Sequence, residues 1–139
     1  STRSPLWRHG GVIFGPHPRD YSYTLPQKIR ALALKSSLNV KVRENGLLIL
    51  ESLAVSQPKT KEAAKIIKNL KAEPKRNSKR QSVLLLLDKS EKVIKQAFGN
   101  IEFLTMNIAK DTNAYEVLTH KKIIITKEGL RQLTERLQA

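Results

Sequence analysis

From residue 25 onward, the chain alternates between apolar patterns typical of strands and of helices. Short apolar runs at 47–50, 83–87 and 122–126 indicate strands, and residues 102–108 are a fourth candidate. Between and around them, apolar residues recur every three or four positions, as in amphipathic helices. Alternating elements with short connections favour parallel strands joined by right-handed crossovers. The pattern therefore predicts an α/β fold: a three-layer α/β/α domain with a four-stranded, mainly parallel sheet.

The first two helices of this domain are predicted from different signals in the sequence. Pro26 suits a first helical position, and Asn45-Gly46 is a good left-handed stop. The face predicted to be buried in this first helix follows helical spacing and consists of Ile29, Leu32, Ala33, Ser36 and Val40. The second helix is predicted over 59–71, with Lys61, Lys65 and Lys68 opposite its apolar stripe.

Three later helices are predicted from capping signals. Ser90 is the predicted cap of a third helix that Gly99 ends. Asn113, with Glu116 three residues later, resembles a capping box for a short fourth helix. Thr126 is the predicted cap of the last helix.

The first 24 residues differ in composition from the rest of the chain. They hold three of the six prolines, three of the six glycines and four of the seven aromatic residues, without a sustained period. Proline and glycine at this density break helices and central strands. We therefore expect residues 1–24 to form an extended arm, with turns at Gly10-Gly11 and Gly15-Pro16, and residues 25–139 to form the globular α/β domain.

The charge is strongly positive and is concentrated in the arm and the first helix. The chain has 26 Lys+Arg against 12 Asp+Glu, a formal net charge of +14. Up to residue 43, eight basic residues face a single acidic residue, Asp20. Arginine recognises phosphate with a planar fork of donors, and aromatic rings stack on unpaired bases. The combination predicts nucleic-acid binding, and RNA rather than DNA because no recognition-helix module is visible.

Other kinds of site have weaker signals. The spacing of Gly10, Gly11 and Gly15 matches no nucleotide-binding loop. The three histidines lack the spacing of a metal site, and cysteine is absent. Asp88 and Asp111 follow strand candidates, where a pair of acids could bind magnesium, although Asp88 more simply caps a helix. We predict no catalytic residue, metal site, cofactor or small-molecule substrate, and keep a small magnesium-dependent enzyme as an alternative.

Two further basic clusters leave alternatives open. The lysines of the second helix could bind an acidic protein partner. The segment 73–82 is predicted to be a loop, and it could contact phosphate or simply be solvated; together with Lys71 its basic residues are Lys75, Arg76, Lys79 and Arg80. Membrane association is not expected, because apolar runs stop far short of the roughly 20 residues that a span requires and the arm cannot form an amphipathic helix.

The arm carries a resemblance to a known family. The runs RSPLWR at 3–8 and GGVIFGPHPRDYSY at 10–23 resemble the universal large-subunit ribosomal protein L4 family, in its bacterial or organellar form. Weaker matches follow in the right order: LPQK at 25–28, PKTK at 58–61 and NAYEVL at 113–118.

The resemblance implies a structural rRNA-binding protein and not an enzyme. A non-ribosomal RNA-binding protein is kept as an alternative. Its partners would be large-subunit rRNA and neighbouring ribosomal proteins, and its location the ribosome of the bacterial cytoplasm, the plastid stroma or the mitochondrial matrix. In the family, the globular domain lies on the outside of the subunit and a long basic loop lines the peptide exit tunnel. Residues 1–24 would then be the returning end of that loop.

The resemblance also implies roles for individual residues. Arg3, Arg8, Arg19 and Tyr21 would contact rRNA, with Trp7 and Phe14 among RNA groups or anchoring the arm. The full candidate RNA-binding set is Arg3, Trp7, Arg8, His9, Phe14, His17, Arg19, Tyr21, Tyr23, Lys28, Arg30 and Lys35.

Two departures from the family pattern matter. The chain starts where family members already have an N-terminal helical segment and most of the tunnel loop behind them. His9 stands where another glycine is expected, which leaves the backbone turn there open.

Overall fold

The computed structural model describes residues 3–55, 57–72 and 82–138. These ranges contain five helices and four strands. In chain order they are α1 (Gln27–Arg43), β1 (Leu47–Leu50), α2 (Thr60–Asn69), β2 (Val83–Leu87), α3 (Lys92–Phe98), β3 (Leu104–Ile108), α4 (Ala114–Thr119), β4 (Lys122–Thr126) and α5 (Lys127–Gln138). The predicted loop at 73–82 lies outside the described residues, apart from Ser82.

The four strands form one sheet in the order β1-β4-β2-β3. Every neighbouring pair is parallel, with Leu84 beside Ile123 and beside Thr105 at the centre. All five residues of β2 are buried because this strand has neighbours on both sides and helices on both faces. The predicted four-stranded parallel sheet is confirmed.

Alternate residues of the central strands point to opposite layers, as the strand period requires. Val83, Leu85 and Leu87 pack with α2 and α3 in one apolar cluster. Leu84 and Leu86 pack with α1, α4 and α5 in a second cluster on the other face of the sheet. The predicted three-layer α/β/α architecture is therefore also confirmed.

Local signals correctly located several helix ends. The Asn113 side chain accepts a hydrogen bond from the Glu116 N–H at 2.8 Å, and Thr126 Oγ1 accepts one from the Gly129 N–H at 3.2 Å. Asn45 has a φ of 53°, so it provides the left-handed stop after α1. Gly46 is required for a different reason, because a Cβ there would lie 2.8 Å from the Lys121 carbonyl oxygen.

The predicted inner face of α1 is wrong. Leu34, Ser37 and Lys41 are its buried residues, whereas Ile29, Leu32 and Val40 are exposed. At 100° per residue the two sets lie roughly a third of a turn apart. Apolar residues occur on more than one side of α1, so periodicity alone cannot choose the side that packs against the sheet and α4.

The predicted cap of α3 is also wrong. The cap position is Glu91 rather than Ser90, and no side chain caps this helix end with a hydrogen bond. The capping box of α4 is half formed, because the Glu116 carboxylate accepts from Asn107 Nδ2 at 2.8 Å. That bond ties α4 to β3, a tertiary contact that the local pattern could not indicate.

Candidate nucleic-acid interface

The first part of the arm folds back on itself instead of running straight. The Trp7 N–H donates to the Ser4 carbonyl at 3.0 Å, and the Gly10 N–H donates to the Trp7 carbonyl at 2.9 Å. The Gly11 N–H then closes the segment by donating to the Arg3 carbonyl at 3.0 Å. Residues 3–11 therefore form a hydrogen-bonded loop, and its last turn has Arg8 and His9 at the centre and ends at Gly10, just before the predicted position at Gly10-Gly11. Residues 15–26 have neither helix nor strand structure, and the predicted turn at Gly15-Pro16 is not formed.

Backbone geometry explains the residues at the end of this loop. His9 has a φ of 66°, in the left-handed region that favours glycine. The histidine thus occupies a glycine-like backbone conformation at the position where a glycine was expected. A Cβ on Gly10 would lie 2.0 Å from the Ser4 carbonyl oxygen, so only glycine fits there without moving the loop.

The aromatic side chains of the arm face solvent. Trp7, Phe14, Tyr21 and Tyr23 are between 68% and 89% exposed. Leu6, Val12 and Ile13 are exposed as well, and the sequence interpretation did not single them out. Their only sequence signal is that apolar residues occur in a segment without helix or strand period. Large apolar groups gathered on an exposed segment mark an interaction surface.

Cationic and aromatic groups are paired within this surface. The Arg19 guanidinium carbon lies 4.3 Å from the centre of the Tyr21 ring, a cation–π distance. The Asp20 carboxylate between them accepts from the Ser22 N–H at 2.8 Å and from the Ser22 hydroxyl at 2.7 Å. These two hydrogen bonds, the backbone one first, lower the pKa of Asp20. Ser22 therefore fixes the position of the one carboxylate of the arm. Arg19 and Tyr21 place a positive charge and an aromatic ring side by side on the exposed surface.

The remaining candidates of the arm and α1 are also on the surface. Arg3, Arg8, His9 and His17 are exposed in the arm, and Lys28, Arg30 and Lys35 are exposed on α1. Because α1 begins at Gln27, its basic residues directly follow the arm.

Lys41, a further basic residue of α1, has a different environment. Its side chain is only 8% exposed, and its Nζ lies 3.5 Å from Glu44 Oε2. Lys41 therefore belongs to the packing of the domain and not to the candidate interface.

The basic residues of the other helices have other surroundings. Lys61, Lys65 and Lys68 are exposed on α2, which packs on the sheet face opposite to α1. Arg136 donates to the carbonyl oxygens of Lys110 and Thr112, so it fastens α5 to the segment before α4.

The features considered for other chemistry are structural or scattered. His120 is buried, with Nδ1 2.7 Å from the Glu116 carbonyl oxygen and Nε2 2.9 Å from Thr105 Oγ1. Within the described ranges, His, Asp and Glu side chains do not gather in any group of three that could hold a metal ion. Over the same ranges, no helix combines the length and hydrophobicity needed to cross a membrane.

Comparison with known proteins shows which family this chain matches. The family model described as "Ribosomal protein L4/L1 family" matches residues 1–136. The chain is similar to "Large ribosomal subunit protein uL4" of Alkaliphilus oremlandii, with 44% identity over 135 residues, which are 97% of this chain and 62% of the relative. The protein of the same name from Pelotomaculum thermopropionicum is 42% identical with the same coverage. That of Alkaliphilus metalliredigens is 46% identical over 96% of this chain and 61% of the relative. The chain thus spans about three-fifths of the length of these relatives.

Proposed function

Because the chain belongs to the ribosomal protein L4/L1 family, we propose that it is a structural constituent of the large ribosomal subunit that binds rRNA through its arm and α1. The observation that carries this proposal is the exposed arm, in which four aromatic rings and Arg19 face solvent together. Its partners are then large-subunit rRNA and neighbouring ribosomal proteins. Binding of the arm would help the rRNA to fold during subunit assembly.

The chemistry of the arm suits irregular RNA. Unpaired bases can stack on exposed rings, and guanidinium groups can pair with phosphate and stack on bases. The excess of basic residues up to residue 43 favours binding through release of counterions from the RNA backbone. Phosphate contacts carry no information about base sequence, and the arm has no recognisable base-reading motif. We therefore expect the arm to recognise the shape and backbone of the RNA rather than a base sequence.

We assign the candidate residues to three roles within this interface. Arg3, Arg8, Arg19, His9 and His17 contact phosphate. Trp7, Phe14, Tyr21 and Tyr23 stack on bases or wedge between RNA groups. Lys28, Arg30 and Lys35 extend the phosphate contacts along α1.

The proposed location is the ribosome of the bacterial cytoplasm, since the named relatives are bacterial. Within the subunit, residues 1–24 are proposed as the returning end of the family's tunnel loop and residues 25–139 as the outer globular domain. A family of ribosomal proteins also argues against the magnesium-dependent enzyme.

The proposal is tested by measuring the affinity for large-subunit rRNA at several salt concentrations. If about five phosphates are neutralised, the log–log slope should be roughly −3.5 to −4.5. The double variant Arg8→Ala/Arg19→Ala should bind more weakly, and the magnitude of its slope should be smaller by about 1.5. Its melting temperature should change little because both residues are exposed.

The matched control is Lys127→Ala/Arg131→Ala, which removes two exposed basic residues of α5. It should leave the slope nearly unchanged. An affinity that does not depend on salt, or equal losses for both double variants, would contradict the proposed interface. Sedimentation of a lysate gives a second test, since the chain should remain with the large subunit through a high-salt wash.

A further inference from the structure

Two tyrosines of the arm lie two positions apart in a segment with an extended course. Residues 15–26 form no helix, strand, turn or bend. Three prolines within this range favour extended conformations in the residues before them. The side chains of residues 16–24 are all exposed. Tyr21 and Tyr23 therefore project from a stretched backbone that the domain leaves uncovered.

Side chains in this segment alternate between two edges of the chain, as extended backbone requires. The Arg19 guanidinium carbon lies 4.3 Å from the centre of the Tyr21 ring, so these residues, two positions apart, meet on one edge. The Ser22 hydroxyl donates to the Asp20 carboxylate at 2.7 Å, and these two side chains share the other edge. The same alternation places Tyr23 on the edge that carries Arg19 and Tyr21.

The spacing of the two tyrosines matches the thickness of one base. An extended chain advances about 3.3–3.6 Å per residue, so Tyr21 and Tyr23 project from backbone positions roughly 7 Å apart. Bases that follow one another along a strand are roughly 3.4 Å apart. A flat group between two rings needs two such distances, one to each ring, which is also roughly 7 Å. The space between the tyrosines therefore fits one base and is too narrow for two.

Both rings have free surface for such a contact. Tyr21 is 74% exposed and Tyr23 is 81% exposed. Arg19 lies over one face of the Tyr21 ring, and the high exposure of this ring leaves its other face open. The cation–π contact also orients Tyr21 before a ligand binds, which lowers the entropy cost of binding.

The charges of the segment favour a nucleotide over an uncharged flat group. The Arg19 guanidinium lies beside the rings and can pair with a phosphate. Asp20 would repel a phosphate, but its carboxylate is hydrogen-bonded to the Ser22 N–H and hydroxyl on the other edge. The edge that carries the tyrosines is therefore cationic and aromatic.

We propose that Tyr21 and Tyr23 form a clamp, here called the tyrosine clamp, that holds a single unpaired base of the RNA. Arg19 covers the outer face of Tyr21 and contacts the phosphate of the same nucleotide. The inference rests on the proposed function, and it adds the kind of nucleotide that this segment binds. The base must be unpaired, as in a single-base bulge, because a base inside a helix is not free to enter between two rings. Stacking accepts any base, so the clamp does not select a sequence.

The test compares two RNA hairpins that differ only in one bulged 2-aminopurine nucleotide. The chain should bind the bulged hairpin about tenfold more tightly than the fully paired one, as stacking on aromatic rings predicts. Binding should also quench the 2-aminopurine fluorescence. Tyr21→Leu and Tyr23→Leu should each abolish the preference and the quenching, whereas Tyr21→Phe and Tyr23→Phe keep the rings and should keep both.

The double variant Tyr21→Leu/Tyr23→Leu distinguishes a clamp from two independent stacking sites. A base that needs both rings is lost with either one, so the double variant should bind the bulged hairpin about as weakly as each single variant. Losses that multiply would show two separate sites and would overturn the clamp.

The matched control is Tyr115→Leu, since Tyr115 is a tyrosine of α4 with a similar exposure of 76%. It should keep the preference for the bulged hairpin, and circular dichroism should show that every variant folds. A control that loses the preference, or tyrosine-clamp variants that retain it, would overturn the proposal.

The clamp and the proposed function fail separately. The tyrosine substitutions remove no cation that pairs with phosphate, so the salt dependence of rRNA binding should be the same in each variant. Salt-dependent binding of rRNA together with equal affinity for the two hairpins would overturn the clamp and leave the proposed function in place. Binding of rRNA that does not depend on salt would instead contradict the proposed function, on which the clamp rests.

Discussion

At the scale of single residues, the arm depends on backbone geometry more than on side-chain contacts. Gly10 approaches the Ser4 carbonyl so closely that no side chain fits, and the preceding His9 adopts a left-handed conformation. Such conformations cost roughly 1–3 kcal/mol for residues other than glycine, and surrounding structure must maintain them. The three hydrogen bonds within residues 3–11 provide that support.

Gly10→Ala should open this loop and weaken rRNA binding. The added Cβ would collide with the Ser4 carbonyl. Binding would then have to restore the loop against a strain on the order of 1–3 kcal/mol, which corresponds to a loss of about tenfold or more in affinity. Filter binding with large-subunit rRNA measures it. Gly15→Ala is the control, because nothing lies within 4 Å of a Cβ at that position. Equal effects of the two substitutions would show that the loop geometry is unimportant.

Ser22→Ala should raise the pKa of Asp20 toward its ordinary value of 3.8. The substitution removes the hydroxyl donor and keeps the backbone N–H, so part of the lowering should remain. The pKa of Asp20 is lower in the folded chain than in the unfolded one. The contribution of this turn to the free energy of unfolding is therefore present at neutral pH and is lost as pH falls through the folded pKa. A ¹³C NMR titration of the carboxyl group measures the change. Ser90→Ala, a distant exposed serine, should leave that pKa where it is.

At the scale of elements, α1 shows the difference between an apolar pattern and a buried face. The predicted face contains Ile29, Leu32 and Val40, which are exposed, whereas the buried one contains Leu34, Ser37 and Lys41. Lys41 is an unexpected core residue, yet its long aliphatic stem can pack while its ammonium reaches Glu44. Contact with α4 and the sheet therefore decides which face of α1 is buried, and the regular apolar spacing of the predicted face does not.

Leu34→Ala and Leu32→Ala form a matched pair that tests this assignment. Leu34→Ala should lower the free energy of unfolding by about 2–5 kcal/mol, because it leaves a cavity in a buried cluster. Leu32→Ala should change it by no more than about 0.5 kcal/mol, since Leu32 is exposed. Urea denaturation measures both values. The reverse order would mean that the periodicity had indicated the correct face.

At the scale of the whole molecule, basic groups lie on both helical layers around a mainly apolar sheet. The arm leads into α1 on one face, and the lysines of α2 are exposed on the other. The division into an arm at 1–24 and a domain at 25–139 remains a prediction. It is consistent with side chains that are exposed throughout 16–24 and with two apolar clusters formed entirely by later residues.

Deletion of residues 1–24 provides the test of that division. The shortened chain should keep its melting temperature within a few degrees, because a loss below about 1 kcal/mol shifts Tm by only 2–8 °C at this size. Its affinity for large-subunit rRNA should fall at least as far as that of the Arg8→Ala/Arg19→Ala variant. Calorimetry and filter binding measure the two quantities. A chain that no longer folds would show that the arm belongs to the domain.

The local pattern was sufficient for much of the fold. The strands at 47–50, 83–87 and 122–126 match the structure residue for residue, because each centres on an apolar run with polar residues close by. The fourth candidate, 102–108, begins two residues before the observed β3. The caps at Asn113 and Thr126 were equally local, since each involves a bond to the residue three positions later. The density of arginine and aromatic residues in the arm also predicts an RNA-binding segment, and this assignment stays a prediction.

Tertiary structure decided everything that depends on a neighbour distant in sequence. It selected the buried face of α1, directed the Glu116 carboxylate to Asn107 and buried His120 against Thr105. It also left Leu6, Val12 and Ile13 of the arm largely exposed. Periodicity and capping act over three or four residues, so they determine elements and their order. Burial requires a partner surface, and the choice between two apolar faces of one helix is made only when the other elements are packed against it.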